Sequence, residues 1–454
     1  GHEVTVFSPS KEEIRKFRKN YEENKGLDAV IVGEEEKGLT ISRITDDPET
    51  ALKETDLVFV TVPAFAHEAV LGCLKRHVNR SALIAMMPCR GMIELEFDHF
   101  WNEVHMIAFQ TLPWSCRKEK MGARVNIKGI KEKIQAASYP SGLSNLFFRQ
   151  LEELLNMRIE RVRSALTLTF ANIGQIFHPG IMYGLFKEEP FREYGEHEIP
   201  LFYQGVTEEG AGILEGLSEE IRQAGEAFQA VMPDIETDRI LTPREWILDS
   251  YEDVIEDKSS LAAMLRTNQA YKGIQVPVKR TERGTFRVDY SARYITEDVP
   301  YSLLVTRTLA KMAGVETPLM DQVIETLGQW SGYPYLENCE RAMREFGHRV
   351  DIAGIDLSKH QDEYIRRYVP GFVEQRTVPR GRPDCRAWLD MLHMPGYDLF
   401  EMMCRSHAST GNDNYYVSRT PDIVIDVHDP KYPLDIPDFD TSRYGWLRQG
   451  DTEV

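Results

Sequence analysis

His178 stands immediately before Pro179 and Gly180, where a helical apolar spacing meets a proline. A residue preceding proline is disfavoured in the α region, so the spacing predicts a helix that ends or kinks at His178 and presents an imidazole at the break. An imidazole titrates near neutrality and can pass a proton. It can equally cap a helix, since polar or positive groups are favoured at a carboxyl end. Arg293 and Asp298 form a second pair, a guanidinium and a carboxylate five residues apart across a helix start expected at Asp298-Val299-Pro300. Asp298 would cap that helix and Pro300 would occupy its first turn. Such an arginine can grip a carboxylate through two parallel hydrogen bonds, and such an aspartate can orient an imidazole. An ordinary surface ion pair with a cap would use the same residues. In Leu112-Pro113-Trp114-Ser115-Cys116-Arg117, Cys116 reads as a nucleophile or, with no base identified nearby, as a passive buried thiol.

Two further sites lie at strand ends. Ser8, Pro9 and Ser10 follow the run Val4 to Phe7, with Lys11 and Arg15 close behind. In a nicotinamide-dinucleotide fold this is where an acid usually holds the adenosine ribose; without it a 2′-phosphate meets no clash, so NADP is tolerated beside NAD. A plain polar turn is the competing reading. The second end is Val62-Pro63-Ala64-Phe65-Ala66-His67, where small residues at a strand-to-helix turn permit close approach of a cofactor.

The elements that must position these groups follow from periodicity. Val4 to Phe7, Ala29 to Val32, Leu57 to Val62, Ala82 to Met86, His105 to Phe109 and Val125 to Ile130 read as strands. Helical stretches at Lys11 to Lys19, Pro48 to Thr55, Ala66 to Val78 and Ser144 to Met157 lie between or after them. Apolar strands without polar alternation, separated by helices, predict a doubly wound parallel sheet covered on both faces. From about residue 160 the period changes: Leu166, Phe170, Ile173 and Phe177 fall at helical spacing and no strands intervene. Gly314 should stop the helix after Pro300, Thr317-Pro318 should open another, and helical patterning runs on through Ser358 to Tyr368. Beyond residue 372 prolines and isolated aromatics dominate, with one strand-like run at Ile423 to Ile425. The expected organisation is therefore an α/β Rossmann-type domain over 1–160, an all-α domain over 161–372 and a C-terminal extension over 373–454.

Composition narrows the function. The 454 residues carry 54 Lys and Arg against 72 Asp and Glu, a net charge of −18, which disfavours nucleic acid in the absence of a concentrated basic patch. No apolar run approaches the roughly 20 residues of a membrane span, so no membrane partner is expected. The six cysteines include no C-x-x-C pair, so no metal site is expected and reduced thiols in the cytoplasm are the default. No G-x-G-x-x-G fingerprint occurs. Since the sequence opens inside a strand pattern, the expectation is a chain lacking its first strand, glycine loop and most of the first helix, roughly 30 residues of a βαβ unit.

Taken jointly, LVFVTVPAFAH at 57–67, TLPWSCR at 111–117, NIGQIFHPG at 172–180, FYQGVTEE at 202–209, ARYITEDVP at 292–300 and VETP at 315–318 resemble the opine dehydrogenase family, the octopine and nopaline dehydrogenases and their relatives. The resemblance covers roughly residues 1–371. It implies a Rossmann domain joined to a helical domain, and reductive condensation of an amino acid with an α-keto acid such as pyruvate, using NAD or NADP. It implies His178 as catalytic histidine, Arg293 as the arginine that binds substrate and Asp298 as the carboxylate supporting the histidine. Asn172 and Arg117 are the further candidates for substrate contact; Ser8, Ser10, Lys11, Val62, Pro63 and His67 are those for the cofactor. A homodimer is among the assemblies open to it. The alternatives are a hydroxyacid or polyol-phosphate dehydrogenase of related architecture, and a dinucleotide-binding scaffold without turnover. The segment after 372 exceeds the usual family length.

Overall fold

The computed structural model describes residues 2–31, 34–79, 82–91, 105–139, 145–230, 235–333, 335–336, 376–377 and 416–417. The expected helical patterning at 358–368, the run at 423–425 and almost all of the 373–454 extension lie outside the described residues.

Strand β1 (Thr5–Phe7), helix α1 (Lys11–Asn24), β2 (Leu27–Ile31), β3 (Glu34–Leu39), β4 (Arg43–Thr45), α2 (Pro48–Leu52), β5 (Leu57–Val60), α3 (His67–His77) and β6 (Leu83–Met86) open the chain. After β7 (His105–Phe109) come β8 (Trp114–Lys120), β9 (Arg124–Ile130), β10 (Lys133–Tyr139), α4 (Asn145–Leu155) and β11 (Arg158–Arg161). The central sheet has the order β11-β10-β7-β6-β5. Alternate residues of β6 and β7 serve opposite faces: Ile84, Met86 and Met106 pack with Leu71 and Leu74 of α3, while Leu83, Ala85 and Ile107 pack with Phe147 and Leu151 of α4. Both faces are thus covered, which is why these strands read as unbroken apolar runs.

Two expectations are corrected. The sheet is not wholly parallel, because β10 runs antiparallel to β7. No helix separates β7 from β10, so the chain reverses through turns, and reversed neighbours pair antiparallel. Val125 to Ile130 and Ala29 to Ile31 belong to a second sheet of order β3-β2-β9-β8. β1 pairs in parallel with β4 as a separate two-stranded unit, with Phe7 packed on the cluster around Val60 and Leu71.

From α5 (Ala165–Phe170) the chain is mainly helical, through α6 (Gly174–Phe186), α7 (Glu208–Gln229), α8 (Pro243–Tyr251) and α9 (Leu261–Thr267). A short hairpin, β12 (Val278–Arg280) with β13 (Phe286–Val288), precedes α10 (Arg293–Thr296), a π-helical turn (Val299–Leu303), α11 (Leu304–Met312) and α12 (Pro318–Ser331). Helix α7 buries Leu214, Leu217, Ile221, Ala224 and Phe228 at three- and four-residue spacing. Helix α6 crosses it so closely that a Cβ on Gly180 would lie 2.6 Å from Leu214 Cδ2.

A third correction concerns α6. It does not end at His178 but runs on through Pro179 to Phe186. Pro179 falls in the second turn, where its missing N–H forgoes one bond, to the carbonyl of Gln175, and the packing of a helix buried along most of its length outweighs that loss. Gly314 does stop α11 in the left-handed region (φ 72°), and Pro318 does open α12. Among the described residues no helix is long and apolar enough to cross a membrane, and no group of three or more metal-ligating side chains occurs.

Candidate functional site

The sheet and helical parts meet at a seam held by close backbone contacts. Gly91 N–H donates to the carbonyl of Tyr301 at 3.0 Å, and a Cβ on Gly91 would lie 3.0 Å from that oxygen and 3.1 Å from Val305 Cγ1. A Cβ on Gly129, in β9, would sit 2.9 Å from that of Ala270. Only glycine lets the two parts approach so nearly.

His178 reaches this seam from α6. Its Nδ1 donates to Asp298 Oδ2 at 2.7 Å; the His178 side chain is 23% exposed and that of Asp298 3%. A carboxylate can only accept, so the proton resides on Nδ1 and Nε2 is left to exchange one. Tyr294 stacks on the imidazole with ring centroids 4.3 Å apart and 15° between planes, and Phe202 packs nearby at 5.9 Å.

Asp298 does not cap a helix. Its backbone is itself helical (φ −75°, ψ −24°) and its side chain makes no capping bond. The helix expected to start there begins at Arg293, and a π turn follows at Val299, where Leu303 N–H reaches back five residues to the Asp298 carbonyl. Such turns recur at functional positions because they re-aim the residues beside them. Burial would raise the Asp298 carboxyl, but Arg90, His178 and Arg293 more than offset it and hold it below the usual range.

Arg293 pairs with Glu297 rather than Asp298: its Nε donates to Glu297 Oε2 at 2.6 Å, and its side chain is 63% exposed. Only Nε of this guanidinium is engaged among the described residues, so the terminal nitrogens present a two-pronged donor at the edge of the site. Asn172 Oδ1 accepts from Gly174 N–H at 3.0 Å, and its Nδ2 donates to Ser302 Oγ at 3.0 Å. Asn172 therefore ties the start of α6 to the π turn, and it is buried. Burial pushes the Tyr294 phenol up, and Arg117, exposed on β8, reaches its hydroxyl and offsets that rise only in part. Cys116 is exposed, and its thiol is pushed up by partial burial, which opposes a nucleophilic role.

Three contributors were not singled out in the sequence. Arg90, just past β6, ion-pairs with Glu297 Oε1 (Nε, 3.4 Å) and Asp298 Oδ1 (Nη1, 3.2 Å), and its Nη1 also meets Asn172 Oδ1 at 3.3 Å. Glu297 is 2% exposed and additionally accepts from Ala64 N–H at 3.2 Å. Gly174 leaves the space these groups need, since a Cβ there would fall 3.0 Å from Asp298 Oδ1 and 3.2 Å from Arg90 Nη1. Elsewhere along the seam Lys131 is buried, with Nζ donating to the Leu112 carbonyl at 2.5 Å and lying 5.8 Å from the Tyr251 ring centre. Burial lowers its pKa to about 7.

The structure thus brings together His178, Asp298, Asn172, Arg293 and Arg117. The Val62-Pro63 turn joins them through Ala64. His67, at the start of α3, is buried rather than presented at the turn surface. Ser8, Ser10 and Lys11 belong to the separate β1–α1 unit: Ser8 donates to Glu13 at 2.7 Å, Ser10 caps α1, and Lys11 is exposed. The fit to a nicotinamide dinucleotide is chemical: hydroxyls and a lysine at the carboxyl end of β1 suit ribose or phosphate, and the small Pro63-Ala64 turn beyond β5 permits a planar ring to approach. No glycine-rich phosphate loop occurs in the sequence.

Residues 161–330 match the family described as NAD/NADP octopine/nopaline dehydrogenase, alpha-helical domain. An opine dehydrogenase of Haliotis discus hannai is 35% identical over 294 residues, covering 62% of this chain and 71% of that protein. An octopine dehydrogenase of Mizuhopecten yessoensis is 32% identical over 304 residues, covering 64% and 74%. A solved octopine dehydrogenase structure described with NADH and L-arginine superposes with a TM-score of 0.62 at 28% identity, over 73% of this chain and 84% of that one.

Proposed function

The chain belongs to the opine dehydrogenase family, and from that premise we propose how its seam divides the work. The enzyme is an NAD(P)-dependent oxidoreductase acting on CH–NH donors, which reductively condenses an amino acid with an α-keto acid. Condensation of amine and ketone expels water and leaves an imine. Bound NAD(P)H supplies the hydride. Reduction of the imine carbon would leave the electron pair of the double bond on nitrogen, which would take a proton and become the secondary amine of the product.

His178 supplies that proton from Nε2 and recovers it from solvent. Asp298, ionised and buried, holds Nδ1–H and so fixes the tautomer and the aim of Nε2. Arg293 turns its free terminal nitrogens to the keto-acid carboxylate and so fixes the reacting carbon, an orientation effect. Asn172 keeps the start of α6 in register with the π turn, and Arg117 borders the amino-acid side of the site through Tyr294. Ser8, Ser10 and Lys11 would meet the ribose end of the dinucleotide, and Pro63-Ala64 its nicotinamide end. The sheet part ends near 160 and the helical part carries the substrate site. A cytoplasmic setting is supported by Cys73 and Cys116 standing outside any disulfide, and a homodimer is the assembly to test by sedimentation.

The single observation that carries this reading is the 2.7 Å contact of a buried aspartate with a partly exposed histidine. It is tested by following NADH and NADPH oxidation with pyruvate across a panel of amino acids, in the wild type and in His178→Ala. The variant should lose about 10²- to 10⁴-fold in kcat, the range for a missing general acid. An unchanged rate would return His178 to a structural role, and turnover that needs the keto acid yet ignores every amine would remove the opine reaction.

A further inference from the structure

Resting on the roles given above to His178 and Asp298, we propose that Arg90 is a positioning residue of the reaction: the fixed countercharge that keeps Asp298 ionised and in place while Arg293 also engages substrate. Arg90 is anchored from both directions. Cys89 N–H bonds the Phe109 carbonyl at 2.8 Å and Gly91 N–H bonds the Tyr301 carbonyl at 3.0 Å. Its backbone is therefore pinned to the central sheet on one side and to the π turn on the other, and its side chain is only 10% exposed.

The need for it follows from charge. Glu297 and Asp298 are consecutive carboxylates, 2% and 3% exposed at their side chains. Two like charges so close and so dry cannot both persist without cations. From α10 comes Arg293, on the outer oxygen of Glu297; from α6 comes His178, on Oδ2 of Asp298; from the loop after β6 comes Arg90, on Oε1 of the first and Oδ1 of the second. Arg117 of β8 lies one ring away, behind Tyr294. Two of these three direct partners must change during turnover. Arg293 is exposed and has a carboxylate to receive, and His178 alternates between charged and neutral. Arg90 alone is enclosed and permanently protonated. Its contact with Asp298 is an ion pair at 3.2 Å without good hydrogen-bond alignment, so it acts there through charge, while His178 supplies the directional bond.

The experiment is the pH dependence of kcat in the reductive direction for intact wild type, Arg90→Gln and Arg90→Lys, with the NADH dissociation constant measured in parallel. Removing the cation raises the pH at which Asp298 takes up a proton, so the acid limb should move upward by about one unit or more. At neutral pH, where Asp298 stays ionised, kcat should fall by much less than it does on the acid limb, with NADH binding changed less than about threefold. Arg90→Lys keeps the charge but loses the fork, so its acid limb should stay near the wild-type position while kcat recovers only in part. Should Arg90→Gln fail to fold, Arg90→Gln/Glu297→Gln removes one charge of each sign and is expected to fold with the limb still displaced. A limb at the wild-type position in the neutral variants, or a uniform loss at every pH, overturns the proposal. If His178→Ala is inactive while the Arg90 profiles are unchanged, only this inference falls; if His178→Ala is fully active, the reading beneath it falls first.

Discussion

Two cations are buried along the seam, and the chain treats them in opposite ways. Around Arg90 burial works against the charge, but the carboxylates of Asp298 and Glu297 more than offset it and the guanidinium is held still more firmly protonated. Around Lys131, among the described residues, the Leu112 carbonyl and the face of Tyr251 are its partners and no carboxylate offsets its burial, which brings the ammonium down to about 7. An arginine cannot shed its proton to escape a dry site, whereas a lysine can. A permanent charge therefore stands where two carboxylates need one. A dispensable charge stands where the chain only needs an amine to satisfy a carbonyl.

The largest way to break this contrast is Glu297→Gln. It leaves Arg90 facing one carboxylate and deprives Arg293 of its tether, so chemical denaturation should show a loss of about 3 kcal/mol, the lower range for breaking a buried pair, because Asp298 remains. A midpoint unchanged from wild type would mean that Glu297 is not the counterion described. Lys131→Met sharpens the other side. Between pH about 7 and 10.5 the unfolded chain holds a proton on Lys131 that the folded chain does not. Stability then rises with pH through that window, by at most about 1.4 kcal/mol per unit, and below it the dependence vanishes because both states are protonated. The methionine variant should lose that slope and gain stability near pH 6; parallel wild-type and variant curves would refute the assignment. The smallest effect is expected from Glu35→Gln. Glu35 bonds Arg124 at 2.7 Å at the surface, and its removal should leave the melting midpoint within error, since pairs open to solvent are screened. A clear fall would show that water does not separate these cases.

What the sequence made legible, and what it did not, follows the same division between burial and exposure. Leu83 to Met86 was readable because both faces of the sheet are covered there, and Leu57 to Val60 because it keeps an apolar composition although Phe59 is exposed. Strand β3 was not, since all six of its residues are exposed and four of them are Glu34, Glu35, Glu36 and Lys37, the charged composition of a protected edge. His178 was picked out for its proline, yet the expected break is absent because tertiary packing overrode a local preference. Asp298 was assigned a cap by its neighbours, and its real partner is 120 residues distant. Arg90 sits in an unremarkable MPCRG segment; nothing local announces partners 82 and 207 residues away.

Glu297 joins two territories through one side chain. Its Oε1 takes the amide of Ala64 from the turn beyond β5, and its Oε2 takes Arg293. An occupant settling on that turn and an anion captured by that guanidinium pull on opposite oxygens of a single group. Whatever factor the first lends to the affinity of the second must be returned in full. The stability of the ternary assembly is then indifferent to the order of arrival, and only the rates of encounter can reveal which reactant enters first.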